Sequence, residues 1–462
     1  MDVLLLSRIQ FAFTTAFHYI YPPLSIGLGI ILVITEGLYL KTRLKIYEEM
    51  TRFWIKIFAL TFAIGVASGI VLEFEFGTNW ASYSRFVGDI FGSALAAEGI
   101  FAFFLESGFL AILVFGWNRV GPRTHFFSTC MVSLGSMFSA VWIVIANSWQ
   151  QTPAGYHLVD SGNGVRAEIT NFWQMIFNPS SMERLSHVLG GAWLAGAFLV
   201  LSVSAYYLLK NRHVEFAQRS FKIGLIVAVS ASLLQLLTGH TSAEGVSENQ
   251  PVKLAAFEGH FASMAPADMY LVGWVDESRE KTSGLKIPGM LSWLIHQDVH
   301  APVPGLRSFA PADRPPVNLV FQSYHLMVIV GMAMIALTLL GVFMWWRSHL
   351  LARRWLLKVF VIAVLLPQIA NQAGWFSAEV GRQPWIVYGL MRTSEGLSKV
   401  VSSGQTWFSL VLFAVVYSLL FVLFLFLLDY KIKQGPGEEK NDISVGEHRK
   451  GGIISMPVGP SE

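Results

Sequence analysis

Several side chains able to do chemistry lie where a chain of this composition should carry few. His18, His187, His325, Met327, Glu98, Glu106 and Glu379 all fall within or at the edge of long apolar segments. Ionisable groups in such segments are expensive and mark functional sites by default. A single buried histidine is as readily a hydrogen-bonding group as a ligand. Three of them, among many aromatics, point to ligands, and neutral imidazole binds iron well. Glu98 and Glu106 are eight residues apart, about 12 Å of rise and about 80° of rotation on a regular helix. They can form two steps of a ladder on one broad face, and intramembrane acid chains are typical of proton relays.

The elements that must position these residues follow from composition. The chain has 462 residues, 53% hydrophobic and only 14% charged, with a mean hydropathy of +0.51. That is too little charge to clothe a soluble surface. The apolar residues form blocks of about 20 or more, long enough to cross a bilayer as helices. The expectation is an all-α, polytopic membrane helix bundle. Its nine spans lie near 11–39, 53–75, 92–116, 126–147, 187–208, 221–238, 318–345, 355–378 and 405–429. Pro22-Pro23 should break the first span one turn past His18. The lone cysteine, Cys130, excludes an intrachain disulfide and a Cys-x-x-Cys-His haem attachment. Residues 1–10 lack the basic start of a cleaved signal peptide, so the first span is expected to be retained.

Lys and Arg crowd the odd-numbered connections and the tail, as in Lys41-Thr-Arg43, Lys210-Asn-Arg212, Arg353-Arg354 and Lys431-Ile-Lys433, and are sparse in the short even-numbered ones. This bias puts the N-terminus outside and the C-terminus in the cytoplasm. His18, His187, His325, Met327 and Glu379 then share one layer near the outer face. Four units follow: spans 1–6 (1–238), a proline-rich outer loop with little regular structure (239–317), spans 7–9 (318–429), and a polar, disordered tail (430–462).

The chain also resembles the cytochrome bd quinol oxidase subunit I family, from the first span to the ninth. The resemblance is carried by Ser7-Arg8-Ile9-Gln10-Phe11 with His18, by Glu73-Phe-Glu-Phe-Gly-Thr-Asn-Trp80, and by Ala97-Glu98-Gly99 with Phe103-Phe-Leu-Glu106-Ser107. It continues in Ala146-Asn-Ser-Trp149 and Lys253-Leu-Ala-Ala-Phe-Glu258. Most specific is Gly374-Trp-Phe-Ser-Ala-Glu379-Val-Gly-Arg382-Gln-Pro-Trp385. The resemblance implies a haem-containing quinol:oxygen oxidoreductase of the bacterial inner membrane, working with cytochrome bd subunit II and a small single-helix subunit, and with no nucleic-acid partner. It implies His187 and Met327 as axial ligands of the low-spin haem b558. His18 and Glu379 would ligate the two high-spin haems, b595 and either haem d or a third haem b, in an order left open. Arg382 would meet haem propionates. Glu98 and Glu106 would carry protons from the cytoplasm. Lys253 and Glu258 would bind quinol, ubiquinol or menaquinol, at the outer face.

The chain departs from the family in two places. The segment after Glu258 is short, which resembles the short-loop, cyanide-insensitive group. His325 stands where better-known members have Arg. His325 and Met327 are about 200° apart on a helix, so only one can face a given haem, and the resemblance favours Met327. Two other functions compete: a haem-relay subunit of a quinone-linked dehydrogenase, and an ion-coupled transporter. The acid ladder and the carboxylate ligand argue against the first. The gathering of His, Met and Glu at one depth argues against the second.

Overall fold

The structure, a computed structural model, describes residues 2–437 except 161, 163, 349, 351 and 352. Among the described residues, nine helices are long and apolar enough to cross a membrane. They are α1 (Val3–Thr42), α2 (Lys45–Thr78), α3 (Gly88–Phe115), α4 (Pro122–Gln151), α5 (Ser181–Leu209), α6 (Val214–Asn249), α7 (Val317–Trp346), α8 (Arg354–Val380) and α9 (Ser403–Gln434). The nine-span expectation holds, but most ends run further than apolarity alone suggested. The added turns are partly polar, as in Ser242-Ala-Glu-Gly-Val-Ser-Glu-Asn249 at the end of α6. The disordered tail expected at 430–462 starts too early, since α9 runs to Gln434. Its remainder from 438 lies outside the described residues.

α1 is interrupted at Tyr19 and Ile20, directly after His18. Pro22 and Pro23 sit in the first turn of its second half, where a missing backbone N–H leaves no hydrogen bond unmade. That second half is clasped by α5 and α4. A Cβ on Gly27 would lie 2.3 Å from the Ala192 carbonyl oxygen, and one on Gly29 would lie 2.9 Å from Ser133 Oγ. Such close backbone approach is the usual way membrane helices gain packing without a hydrophobic driving force. α5 is the centre of the bundle, packed against α1, α4, α6 and α8. By contrast α3 and α9 present large apolar side chains outward, among them Phe101, Phe104, Phe408, Leu419 and Phe426.

The larger connections gather at one end. A hairpin (Tyr156–Asp160 with Val165–Ile169) joins α4 to α5. The segment between α6 and α7 is more regular than its prolines suggested. It holds a helix (Pro251–Glu258), a hairpin (Met269–Asp276 with Lys281–Ile287) and a helix (Met290–His296). Pro251 starts the first of these, and Pro288 and Pro316 flank elements without interrupting them. Ion pairs pin the segment: Lys286 to Asp268 at 2.5 Å, Arg307 to Glu280 at 2.6 Å and Arg314 to Glu280 at 3.2 Å.

Candidate cofactor and quinol sites

At this looped end the last turn of α8 meets the ends of α4 and α5 and the Pro251–Glu258 helix. Arg382 Nη2 donates to Glu379 Oε2 at 2.5 Å. Asn147 Nδ2 and Gln151 Nε2 donate to Glu379 Oε1 at 3.0 and 3.2 Å. Arg184 donates to Asn147, and Lys253 Nζ donates to Gln151 Oε1 at 2.5 Å. Lys253 and Arg382 are 2% and 5% exposed, and Arg184 Nε is buried without a protein partner. Burial, with Arg184 and Arg382 nearby, pushes the Lys253 ammonium well below the usual lysine range. Three cationic side chains thus converge on one carboxylate. Buried charge that is not compensated is costly, so the cluster calls for further anions, and guanidinium forks match carboxylates.

The histidines divide into two kinds. His18 Nδ1 is held by Ser68 Oγ at 3.0 Å, and His187 Nδ1 by Thr238 Oγ1 at 3.1 Å. A hydrogen bond on Nδ1 orients the ring and leaves Nε2 to act as a ligand. Each ring faces a glycine, Gly69 for His18 and Gly239 for His187. Met327 likewise lies over Gly374, where a Cβ would come 2.8 Å from Sδ. α6 and α8 both contact α5, which bears His187, and α7, which bears Met327. His325 is different. Its Nδ1 and Nε2 lie 2.9 and 2.8 Å from the carbonyl oxygens of Phe321 and Tyr270. Nδ1 is engaged within α7 and Nε2 ties α7 to the outer hairpin, so His325 reads as a structural group.

The acid ladder is straighter than a regular helix allows. Residues Gly99–Phe103 form a π-helical turn between the two acids. An extra residue in that turn sets the phase back by about 100°, reducing the expected 80° offset to about 20°. Both acids consequently face α4. Ser139 Oγ donates to Glu98 Oε1 at 2.5 Å, and Glu106 packs on Gly135, where a Cβ would lie 2.4 Å from its Cγ. Nearer the opposite end, α4 carries His125, whose Nδ1 meets Glu36 Oε1 at 2.6 Å, and Thr129, which donates to Glu36 Oε2 at 2.5 Å.

Lys253 and Glu258 do not come together. They leave opposite sides of their short helix, as a separation of five residues requires. Glu258 is 2% exposed, and Oε2 has no protein partner. Burial pushes its carboxyl up to about 8, against a backbone hydrogen bond at Tyr270. Tyr324 stacks on the neighbouring Phe257 at 4.5 Å.

Sequence reasoning missed Arg184, although it precedes His187 by one helical turn. It also missed Glu36 and His125, which are far apart in sequence and meet only through the packing of α1 on α4.

A polytopic bundle with imidazole and thioether donors beside a buried cationic cluster defines a membrane protein of the cytochrome class. The sequence matches the family described as cytochrome bd terminal oxidase subunit I over residues 6–436. A cytochrome bd ubiquinol oxidase subunit 1 of Bacillus subtilis (strain 168) is 40% identical over 452 residues, covering 96% of each chain. A cytochrome bd-II ubiquinol oxidase subunit 1 of Escherichia coli (strain K12) is 35% identical, covering 96% of this chain and 98% of the relative. The structure of bd oxidase from Geobacillus thermodenitrificans aligns with a TM-score of 0.87 at 29% identity, over 94% of this chain and 99% of that one. The chain belongs to the cytochrome bd terminal oxidase subunit I family. It is a haem-bearing, multi-pass oxidoreductase subunit of the bacterial inner membrane. The residues here fit haem: two imidazoles with Nδ1 engaged, a thioether, glycines facing all three, and buried cations suited to propionates.

Proposed function

We propose that this chain is the catalytic subunit of a quinol:oxygen oxidoreductase that oxidises quinol at its looped, outer face and reduces oxygen to water. Relatives are named for ubiquinol and, in a Bacillus subtilis protein 32% identical to this chain, for menaquinol; quinol here covers both. His187 and Met327 would hold the low-spin haem b558. His18 and Glu379 would hold the high-spin b595 and a haem d or third haem b. Arg184, Arg382 and Lys253 would neutralise propionates. Bound haem supplies the electron transfer and the oxygen chemistry. Glu258, buried and protonated near neutral pH, is suited to exchange a proton with a quinol hydroxyl. Lys253 reaches from the same short helix into the cationic cluster, linking quinol site to haem site. Glu98 and Glu106, lined up along α4, would pass protons from the cytoplasmic side. The basic odd-numbered connections and tail support that orientation. The outward apolar faces of α3 and α9 suit subunit II and lipid.

The observation that carries this reading is the cluster of Arg184, Lys253 and Arg382 around Glu379. A relay-only haem subunit of a dehydrogenase needs neither a carboxylate ligand nor the acid ladder. Quinol-dependent oxygen consumption by the purified complex tests it. The expected result is steady uptake that is lost in Glu379→Ala and His18→Ala. Haem reduction by quinol without oxygen uptake in the unmodified complex would favour the relay.

A further inference from the structure

The first half of α1 carries a polar stripe of which the roles above use only His18. Ser7, Gln10, Thr14 and His18 are spaced by three, four and four residues, so they share one face. That face packs along α2. Asn79 Nδ2 donates to Gln10 Oε1 at 3.2 Å, Thr14 Oγ1 donates to Glu75 Oε1 at 2.7 Å, and His18 meets Ser68. On the other side α9 contributes Ser409, which donates to Gln10 Oε1 at 3.0 Å, and Tyr417, whose ring stacks on Phe17. Ser7, Thr14, Glu75 and Tyr417 are no more than 3% exposed. Yet Ser7 Oγ is buried without a protein partner, and Glu75 Oε2 and Tyr417 OH have none of good hydrogen-bond geometry, although Gln10 lies beside Glu75 and Thr14 beside Tyr417.

Polar seams between membrane helices often serve as glue, through hydrogen bonds from helix to helix. Glue does not need a carboxylate, and it does not leave one oxygen of that carboxylate unused. Three polar atoms without a well-placed partner along one seam suit water, since buried polar groups are hydrogen-bonded with few exceptions. The stripe begins at the looped end of the bundle and stops at His18. The ladder of Glu98 and Glu106 lies on another helix, α3.

We propose that Ser7, Gln10, Thr14 and Glu75 line a narrow water column from the outer surface to His18, through which product water leaves. The proposal rests on the reading of His18 as a ligand at the oxygen-reducing site. Reduction of one oxygen molecule by four electrons and four protons yields two waters, which must leave a site enclosed by apolar helices. Glu75, at the narrow middle, holds the column wet: its free oxygen can bind water while Thr14 holds the other.

Cysteine accessibility tests the column without depending on haem. Cys130 is the sole cysteine, so Cys130→Ser gives a clean background. Single cysteines are placed at Gln10 and Thr14, and at Leu6 and Phe17 as buried apolar controls. The probe is a small, membrane-impermeant methanethiosulfonate applied from either side, with labelling read by mass. A thiol in apolar surroundings has a raised pKa, and each unit removes about tenfold of the reactive thiolate. Thr14→Cys should label from outside at least about tenfold faster than the controls. Glu75→Leu should abolish that advantage and Glu75→Gln should keep it. Thr14→Cys labelling no faster than Leu6→Cys and Phe17→Cys, or equally from both sides, overturns the column.

Should the cysteine variants misfold, radiolytic hydroxyl-radical labelling of the unmodified complex reads the same property. Tyr417 should be oxidised well above Tyr207, which is also buried but donates to the Ile432 carbonyl oxygen at 2.6 Å. Equal oxidation of the two tyrosines counts against water in the seam. Turnover tests the exit role. Glu75→Leu should lower it at saturating quinol and oxygen with an unchanged absorption spectrum. Full turnover in a variant whose column no longer labels would remove that role. Loss of high-spin bands in His18→Ala tests the ligand reading separately.

Discussion

Gly374 is the position where one methyl group tests the ligand assignment of the low-spin haem. A Cβ there would lie 2.8 Å from Met327 Sδ and 3.6 Å from its Cγ. Comfortable contact needs about 3.5–4.0 Å, so in Gly374→Ala the sulfur must retreat by most of an ångström. Overpacking on this scale costs about 1–3 kcal/mol. A methionine has three rotatable bonds, so its cheapest relief is to swing away. If the whole cost falls on the ligated state, the ratio of Met-ligated to unligated protein drops by about 5- to 150-fold. Methionine ligation raises the potential of a His-ligated haem. The low-spin centre should therefore lose α-band intensity and titrate at a lower potential. The assay is a redox titration of that band in the purified complex, with Met327→Leu as the full-loss reference. Gly331→Ala, on the helix that bears Met327, is the control, since a Cβ there meets nothing within 4 Å. An unchanged band and potential in Gly374→Ala, beside a clear loss in Met327→Leu, would refute the packing argument. No loss in either would refute the ligand.

Further predictions concern the other groups. His325→Ala should keep the low-spin band, because both ring nitrogens serve carbonyls; loss of the band there and not in Met327→Leu would reverse the assignment. Glu258→Gln should depress oxidation of quinol far more than oxygen uptake from an artificial donor that bypasses the site, and equal losses would count against a quinol role. An acid raised from 4.5 to about 8 on folding contributes stability that is complete below about 4.5 and lost as pH rises through about 8. Quinol oxidation limited by the Glu258 carboxylate should rise over that same limb near 8, and a pH profile of Glu258→Gln should lack it. Gly135→Ala should displace Glu106 and, like Glu106→Gln, slow oxygen reduction and its linked charge movement while quinol still reduces the low-spin haem. Time-resolved membrane potential in vesicles checks this, and undiminished voltage would leave Glu106 a structural carboxyl.

Much of the architecture was legible because hydrocarbon thickness and apolar length are tied together. The spans and the separation of Lys253 from Glu258 follow from spacing alone, and Pro22-Pro23 signalled a break in α1 that falls a few residues earlier, at Tyr19 and Ile20. Helix ends were not legible where the helix leaves the hydrocarbon, as at Asn249, since polar residues there look like loop. The π turn at Gly99–Phe103 has no compositional mark either. It accompanies the match of Glu98 to Ser139 and of Glu106 to Gly135, which only helix packing supplies. Arg184 was readable as one turn ahead of His187, but its charge suited a surface loop equally well. The pairing of Glu36 with His125 and the column along α1 depend on which helices neighbour which, and no local pattern encodes that. His325 was a plausible ligand by type, and its two carbonyl partners, one on a distant hairpin, decided otherwise.

The central claim is that this bundle holds one low-spin haem on His187 and Met327 beside a high-spin pair on His18 and Glu379. The reduced-minus-oxidised absorption spectrum of the purified complex tests it most directly. A low-spin α-band together with high-spin haem bands is expected, the former lost in His187→Ala and the latter disturbed in His18→Ala. Low-spin bands alone, or a low-spin band that survives in His187→Ala, would contradict it.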